Sequence, residues 1–179
     1  SGLEEAKLIR FHPKSENNNE KVFVDVGGGS TEFFFNNNGK TIIKSFQLGA
    51  VRLLHNKDNK EEWSKLRKWV CENNIPKKLI GLGGNIRSFL KMYSLNSMTN
   101  DEFKTNYEEL SVMTFNILTE KYELSSDRAD VIKNALKIYS EIVKHGEIEK
   151  IKSTKWGVSD SIAVKLFHEI YSKKININN

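Results

Sequence analysis

Between residues 21 and 47 apolar positions come in short dense runs broken by turn residues, and that punctuation predicts three strands. They are Lys21–Val26, Thr31–Asn36 and Lys40–Gln47; Asn38-Gly39 between the last two is a strong two-residue hairpin signal. Ahead of them, Leu3–Phe11 reads as a short helix stopped by Pro13, and Ser15–Glu20 as a polar loop. Helical spacing then takes over. Glu61–Glu72 places Trp63, Leu66 and Val70 on one face, and Lys78–Leu82 is a short apolar strand. Gly83-Gly84 leads into a helix with Ile86, Phe89, Leu90 and Tyr93 on one side. Thr105–Tyr122 and Ala129–His145 read as a helical pair. Ile132, Ala135, Leu136, Tyr139 and Val143 line the second of them, and Gly146 ends it. A strand at Ile148–Ser153 and a helix at Ser159–Tyr171 follow, the helix burying Ile162, Ala163, Leu166, Phe167 and Ile170. Residues 172–179 are expected to fray.

A meander followed by α/β units implies an α/β domain built on one mixed, five-stranded sheet with helices on its faces. No repeat is present. Trp63, Trp69 and the Phe and Leu stripes are core by default.

Composition narrows the class without naming a function. A hydrophobic share of 38% and a charged share of 28% are those of a globular chain. No apolar run is long enough to cross a membrane, and a signal pattern is missing from the first residues. Cys71 is the single cysteine, which excludes an intrachain disulfide and suits a reducing cytoplasm. The net charge of +5 is spread thinly along the chain, with no basic run interleaved with aromatics, so a nucleic-acid partner has little support.

The chemistry concentrates in VFVDVGGGSTEFFF, residues 22–35. If the turn is centred between Gly28 and Gly29, Asp25 and Glu32 face each other across a hairpin. Gly27, Gly28 and Gly29 can adopt positive φ and let a ligand approach the backbone. The segment lacks the Lys-Ser or Lys-Thr of a Walker loop and the following helix of a dinucleotide fingerprint. What remains is a phosphate cradle of glycine amides and the hydroxyls of Ser30 and Thr31, beside two acids suited to Mg²⁺. A glycine-rich turn with solvated acids is the plainer alternative.

The second glycine motif, Gly81-Leu82-Gly83-Gly84-Asn85, sits before a helix N-terminus, where Asn85 is a good N-cap. Glu4 and Glu5 are ordinary first-turn acids. His12, His55, His145 and His168 show no metal-ligand spacing, and Cys71 reads as a core or boundary thiol.

Taken together, SGLEEAKLI (1–9), DVGGGSTEF (25–33), QLGAVRL (47–53), GLGGNIR (81–87) and the RADVI and WGVSDSI segments resemble the exopolyphosphatase/guanosine pentaphosphate phosphohydrolase (Ppx/GppA) family over nearly the whole chain. The resemblance implies a ribonuclease-H-like domain of the actin-like ATPase superfamily. It implies that Glu5 is the general base, and that Asp25 and Glu32 bind Mg²⁺ and take part in catalysis. Gly27, Gly28, Gly29, Ser30 and Thr31 would grip phosphate, with Arg52 and Arg87 as further contacts. Gly83, Gly84 and Asn85 would form a nucleotide-side loop with Arg87. That loop departs from the family's usual GTGGT, because Leu82 and Asn85 replace its threonines.

The family's opening DxGSNS loop has no counterpart here. The resemblance therefore implies a single second domain, residues 1–179, whose first domain is absent and which carries half of an interdomain site and is inactive alone. The implied substrate is polyphosphate or guanosine pentaphosphate; a homodimer could form through the apolar face left bare. A superfamily ATPase or kinase, or a nucleotide-responsive regulatory module, are the rival readings.

Overall fold

The computed structural model describes residues 19–155, together with 163, 166 and 167. The expected N-terminal helix with Glu4 and Glu5, most of the last helix and the tail lie outside the described residues.

Among the described residues six strands form one sheet in the order β3-β2-β1-β4-β6-β5, with β1 Lys21–Val26, β2 Thr31–Asn37, β3 Lys40–Phe46, β4 Lys78–Leu82, β5 Ser97–Thr99 and β6 Lys150–Ser153. β1, β2 and β3 form the antiparallel meander, while β1, β4 and β6 run parallel. The β2–β3 turn is made by Asn38 (φ 48°) and Gly39 (φ 76°), the double positive φ of a hairpin whose twist matches its strands. The expected five-stranded sheet gains a sixth strand, β5, antiparallel to β6 at the edge. Its three residues are too few to show a period.

Both faces of β1 and β2 are buried. Val22, Val24, Phe33, Phe35, Leu79 and Ile151 belong to the main core, and Phe23, Phe34, Ile80 and Leu82 form a second cluster with Ile43. Burial on both sides explains why β1 and β2 read as near-continuous apolar runs. Trp69 packs edge-on against Phe33, Phe35 and Phe46, with ring centroids 5.0, 6.2 and 5.6 Å away.

Among the described residues five α-helices accompany the sheet: α1 Ala50–Leu54, α2 Lys60–Glu72, α3 Gly84–Met92, α4 Asn100–Val112 and α5 Ser126–His145. A capping box between Thr99 and Glu102 starts α4. The expected helix Thr105–Tyr122 is broken. α4 stops at Val112, Met113 is extended, and a π-helical turn covers Ile117–Lys121. Neither Gly nor Pro marks the break. Instead, the Lys133 ammonium donates to the carbonyls of Ser111 (3.1 Å) and Met113, satisfying groups that the interrupted helix frees. α5 begins three residues before the expected start, and Ile132, Ala135, Leu136 and Tyr139 are fully buried on it. In the last segment Ala163, Leu166 and Phe167 are helical but exposed, not buried as expected. Their spacing marks an apolar stripe without saying what covers it.

Candidate active site

β1 and β4 end side by side, with Asp25 in register with Leu82. Each is followed by glycines, Gly27–Gly29 after β1 and Gly83-Gly84 after β4. The two loops therefore meet beyond the carboxyl ends of parallel strands, the usual position for ligands in open α/β sheets. Here they line a cleft of 460 Å³ with α1 and the first turns of α5. Asp25, Gly27, Gly28, Gly83, Gly84 and Asn85 all reach it; Gly29, Ser30, Thr31, Glu32, Arg52 and Arg87 are not among its walls.

Asp25 pairs with Glu32 across the β1–β2 hairpin, as the turn centre requires. Partners in register point to one sheet face. Their environments differ, however. Asp25 is half-buried at the cleft, whereas Glu32 is 2% exposed and accepts a hydrogen bond from the Ser45 hydroxyl at 2.9 Å.

The first loop is held from behind by α1. Ala50 N–H donates to Gly27 O, while Val51 N–H and Arg52 N–H donate to Gly28 O, each at 2.9 Å. These are the orphan donors of a helix N-terminus, so that end of α1 is spent on the loop and not on a ligand. The contact is close enough that a Cβ on Gly49 would lie 2.4 Å from Gly28 O. Arg52 completes the clamp, with Nε–H donating to Gly29 O at 2.9 Å and Nη2–H to Gln47 Oε1 at 3.1 Å. Thr31 is fully buried and its hydroxyl donates to Leu48 O at 2.7 Å. The hydroxyl expected to face phosphate is thus turned into the protein. None of Gly27, Gly28 and Gly29 takes a positive φ; a Cβ would be tight only on Gly28, 3.2 Å from Val51 Cγ2, and on Gly29 it would meet nothing within 4 Å. Among the described residues, the Gly28 and Gly29 amides donate to no backbone acceptor.

At the second loop positive φ does appear. Gly83 has φ 78° and ψ −177° and is the N-cap of α3, a conformation that disfavours any side chain. A Cβ there would also lie 3.1 Å from Asp25 Oδ1. Asn85 is not the N-cap; it lies inside α3 because Gly83 turns the chain earlier. Its amide bridges the cleft floor, Nδ2–H donating to Val26 O at 3.4 Å and Oδ1 accepting from Arg128 Nη1–H at 2.6 Å.

Sequence reasoning missed Arg128, Asp127 and Asp130, all three lining the cleft from α5. The only signal was the RADVI segment, to which no role was attached. Arg128 lies against Gly84. Arg87 points elsewhere: its Nη1–H donates to Lys155 O at 3.3 Å, and it lines a separate cavity with Ser153 and Lys155. Beneath the cleft, the buried Tyr139 hydroxyl donates to Val24 O at 3.2 Å. Burial pushes its phenol well above the usual range, and nearby Asp25 adds to the shift.

Cys71 is exposed, not core, and its thiol lies 3.6 Å from His145 O. Among the described residues no three His, Cys, Asp or Glu side chains are grouped to cage a metal. Also among them, no helix is long and apolar enough to cross a membrane.

The family model described as the Ppx/GppA phosphatase family matches residues 1–169. The chain belongs to that family. Among solved structures, this Ppx/GppA chain is similar to the Aquifex aeolicus Ppx/GppA phosphatase, type II variant, at 21% identity and TM-score 0.70, over 92% of this chain and 62% of that one. An exopolyphosphatase from Cytophaga hutchinsonii is similar at 18% identity and TM-score 0.72, over 94% and 64%. An exopolyphosphatase-like protein gives 17% and 0.75, over 95% and 68%. The fold is accordingly the actin-like ATPase type, and the chain spans about 62% of the length of the Aquifex relative. No curated protein matches it.

Proposed function

We propose that this chain is the second domain of a two-domain, Mg²⁺-dependent phosphohydrolase that releases orthophosphate from the terminal phosphoanhydrides of polyphosphate or guanosine pentaphosphate. The observation that carries the reading is the convergence of two glycine loops, distant in sequence, on the Asp25 carboxylate. Membership of a phosphatase family supports it.

Phosphoanhydride hydrolysis needs an in-line water, donors for the equatorial phosphate oxygens and neutralisation of developing charge. The Gly28 amide, the N-terminus of α3 and Arg128 are suited to hold phosphate oxygens. Glu5, outside the described residues, is proposed as the base that takes the proton of the water. Glu32, buried and fixed by Ser45, orients the hairpin beside Asp25.

The donor set fits Mg²⁺, which prefers hard oxygen ligands and completes its shell with water and substrate phosphates. Asp25 faces a cleft that also holds Asp127 and Asp130 and, among the described residues, has no thiol or imidazole in its walls. Bound there, the ion would neutralise charge on the phosphates. Asp25 is the residue that would hold it. The first domain would close the other side of the cleft, where Val51 and Leu54 are 42% and 40% exposed, and a cytoplasmic setting suits the free thiol of Cys71.

The test is orthophosphate release by the complete two-domain protein. Asp25→Asn is expected to cut turnover by about a hundredfold or more with folding intact. Near-normal turnover in that variant would remove Asp25 from the chemistry. Clear ATP hydrolysis with none of polyphosphate would favour a superfamily ATPase.

A further inference from the structure

Away from the cleft, α2 and α5 lie side by side and meet in three matched pairs. The Lys137 ammonium stands 5.7 Å from the centre of the Trp63 ring, Arg67 Nη1–H donates to Glu141 Oε2 at 3.0 Å, and the Cys71 thiol lies 3.9 Å from His145 Nδ1. Each pair is separated by 74 residues, so the two helices run parallel and both end beside Cys71. Between them opens a cavity of 390 Å³ lined by Lys60, Trp63, Ser64, Arg67, Lys137 and Glu141.

Charge in this cavity is one-sided. Its single carboxylate, Glu141, is held by Arg67 and lies 3.5 Å from His145 Nε2. Among the described residues neither Lys60 nor Lys137 has a carboxylate partner. Two ammonium groups are therefore open to an anion. At the other end of the helix pair stands an exposed nucleophile beside a base. With its Nε2 proton directed at Glu141, His145 has Nδ1 left to accept from the Cys71 thiol; the thiol's other acceptor, His145 O at 3.6 Å, belongs to the same residue. Nucleophile, base and orienting acid in that order are what activates a cysteine. From Lys60 to Cys71 α2 rises about 16 Å, the length of about five extended peptide residues. A single inorganic anion would leave most of that groove empty.

We propose that the α2–α5 groove binds an acidic peptide disulfide of low molecular weight, and that Cys71 takes up one half of it as a mixed disulfide. Carboxylates of the peptide lie against Lys60 and Lys137, which directs its S–S bond toward the thiol. The thiol proton passes to His145 Nδ1, and the Cys71 sulfur attacks one sulfur of the incoming disulfide. The old S–S bond breaks as the new one forms, and the departing thiolate takes the proton from His145. Cys71 is oxidised, and the external disulfide is reduced to one free thiol. None of these residues lines the cleft, so the site stands apart from the phosphohydrolase reading.

The test mixes the 179-residue chain with glutathione disulfide, an acidic peptide disulfide, or with neutral hydroxyethyl disulfide, and follows the mixed disulfide by intact mass. Cys71 is the single cysteine, so the place of the adduct is fixed. Each rate is divided by that of N-acetylcysteine amide with the same disulfide. Wild type is expected to favour glutathione disulfide by about tenfold. Lys60→Gln/Lys137→Gln should lose most of that preference while its rate with the neutral disulfide stays within about twofold. Both lysines are exposed, and circular dichroism checks the fold. His145→Gln should slow both reactions by about tenfold. A control, Lys40→Gln/Lys104→Gln, removes the same charge from exposed positions outside the groove and should alter neither rate. In wild type, added salt should shrink the preference, a readout that needs no variant. Equal normalised rates for the two disulfides in wild type, or an equal loss in the control, would overturn the groove as a binding site. A His145→Gln rate equal to that of wild type would overturn the activated thiol.

Discussion

The guanidinium of Arg128 occupies the space that a side chain on residue 84 would fill: a Cβ on Gly84 would come within 2.2 Å of Arg128 Nη2. The clashing atom is the end of a flexible side chain, so the backbone need not move. Gly84→Ala is therefore expected to keep the fold, with stability changed by no more than about 1 kcal/mol, because alanine also favours the helix. Arg128 would be displaced from Asn85, and tripolyphosphate affinity would fall about tenfold. Unaltered affinity, measured by titration calorimetry, would separate Arg128 from phosphate binding.

Gly49 meets backbone rather than side chain, with Gly28 O at 2.4 Å and the Gly28 and Gly29 carbonyl carbons at 2.5 Å from a built Cβ. Nothing there can yield cheaply. Gly49→Ala should cost about 2–3 kcal/mol of stability, as overpacking does. Gly29→Ala, whose Cβ meets nothing within 4 Å, should stay within about 0.5 kcal/mol. Urea midpoints of the two variants decide the matter, and equal midpoints would contradict the clamp.

Thr31 separates a structural hydroxyl from a substrate contact. Thr31→Val leaves Leu48 O without its buried donor and is expected to cost about 1–3 kcal/mol. In the two-domain protein, KM for polyphosphate should stay unchanged. A raised KM with unaltered stability would return the hydroxyl to the phosphate.

Tyr139 gives stability an alkaline limit. Its folded pKa is raised, so the folded state holds the proton more tightly than the unfolded one does. The contribution is complete below about pH 10, the unfolded value, and is lost as pH rises through the folded one. Tyr93 and Tyr107 are also raised, mainly by burial, so the test is a difference. Tyr139→Phe should lose about 1 kcal/mol at pH 8 with its bond to Val24. Above pH 10 it should lose stability less steeply than wild type, and parallel slopes would contradict this.

The sequence showed the Asp25–Glu32 pairing because a strand has period two, and the two apolar runs fix the turn between them. Asn38-Gly39 was legible for a similar reason, since few residues accept positive φ twice in succession. Local rules fail where tertiary partners decide. The break after Val112 depends on Lys133, 20 residues beyond Met113, and β5 on an edge pairing with β6. α1 is short, and its first amides are satisfied by the glycine loop it braces. Arg128 was hidden because its partners, Gly84 and Asn85, lie in a different element. The glycines themselves were visible in the sequence, but Gly27–Gly29 do not use the positive φ open to them.

A site shared between two domains is tested by orthophosphate release from long-chain polyphosphate with Mg²⁺, by this chain alone and then mixed with a separately made first domain. No release is expected from the chain alone, and release is expected on mixing. Release from the chain alone would mean that Asp25 and its two glycine loops suffice, and the proposal of a site shared between two domains would be wrong.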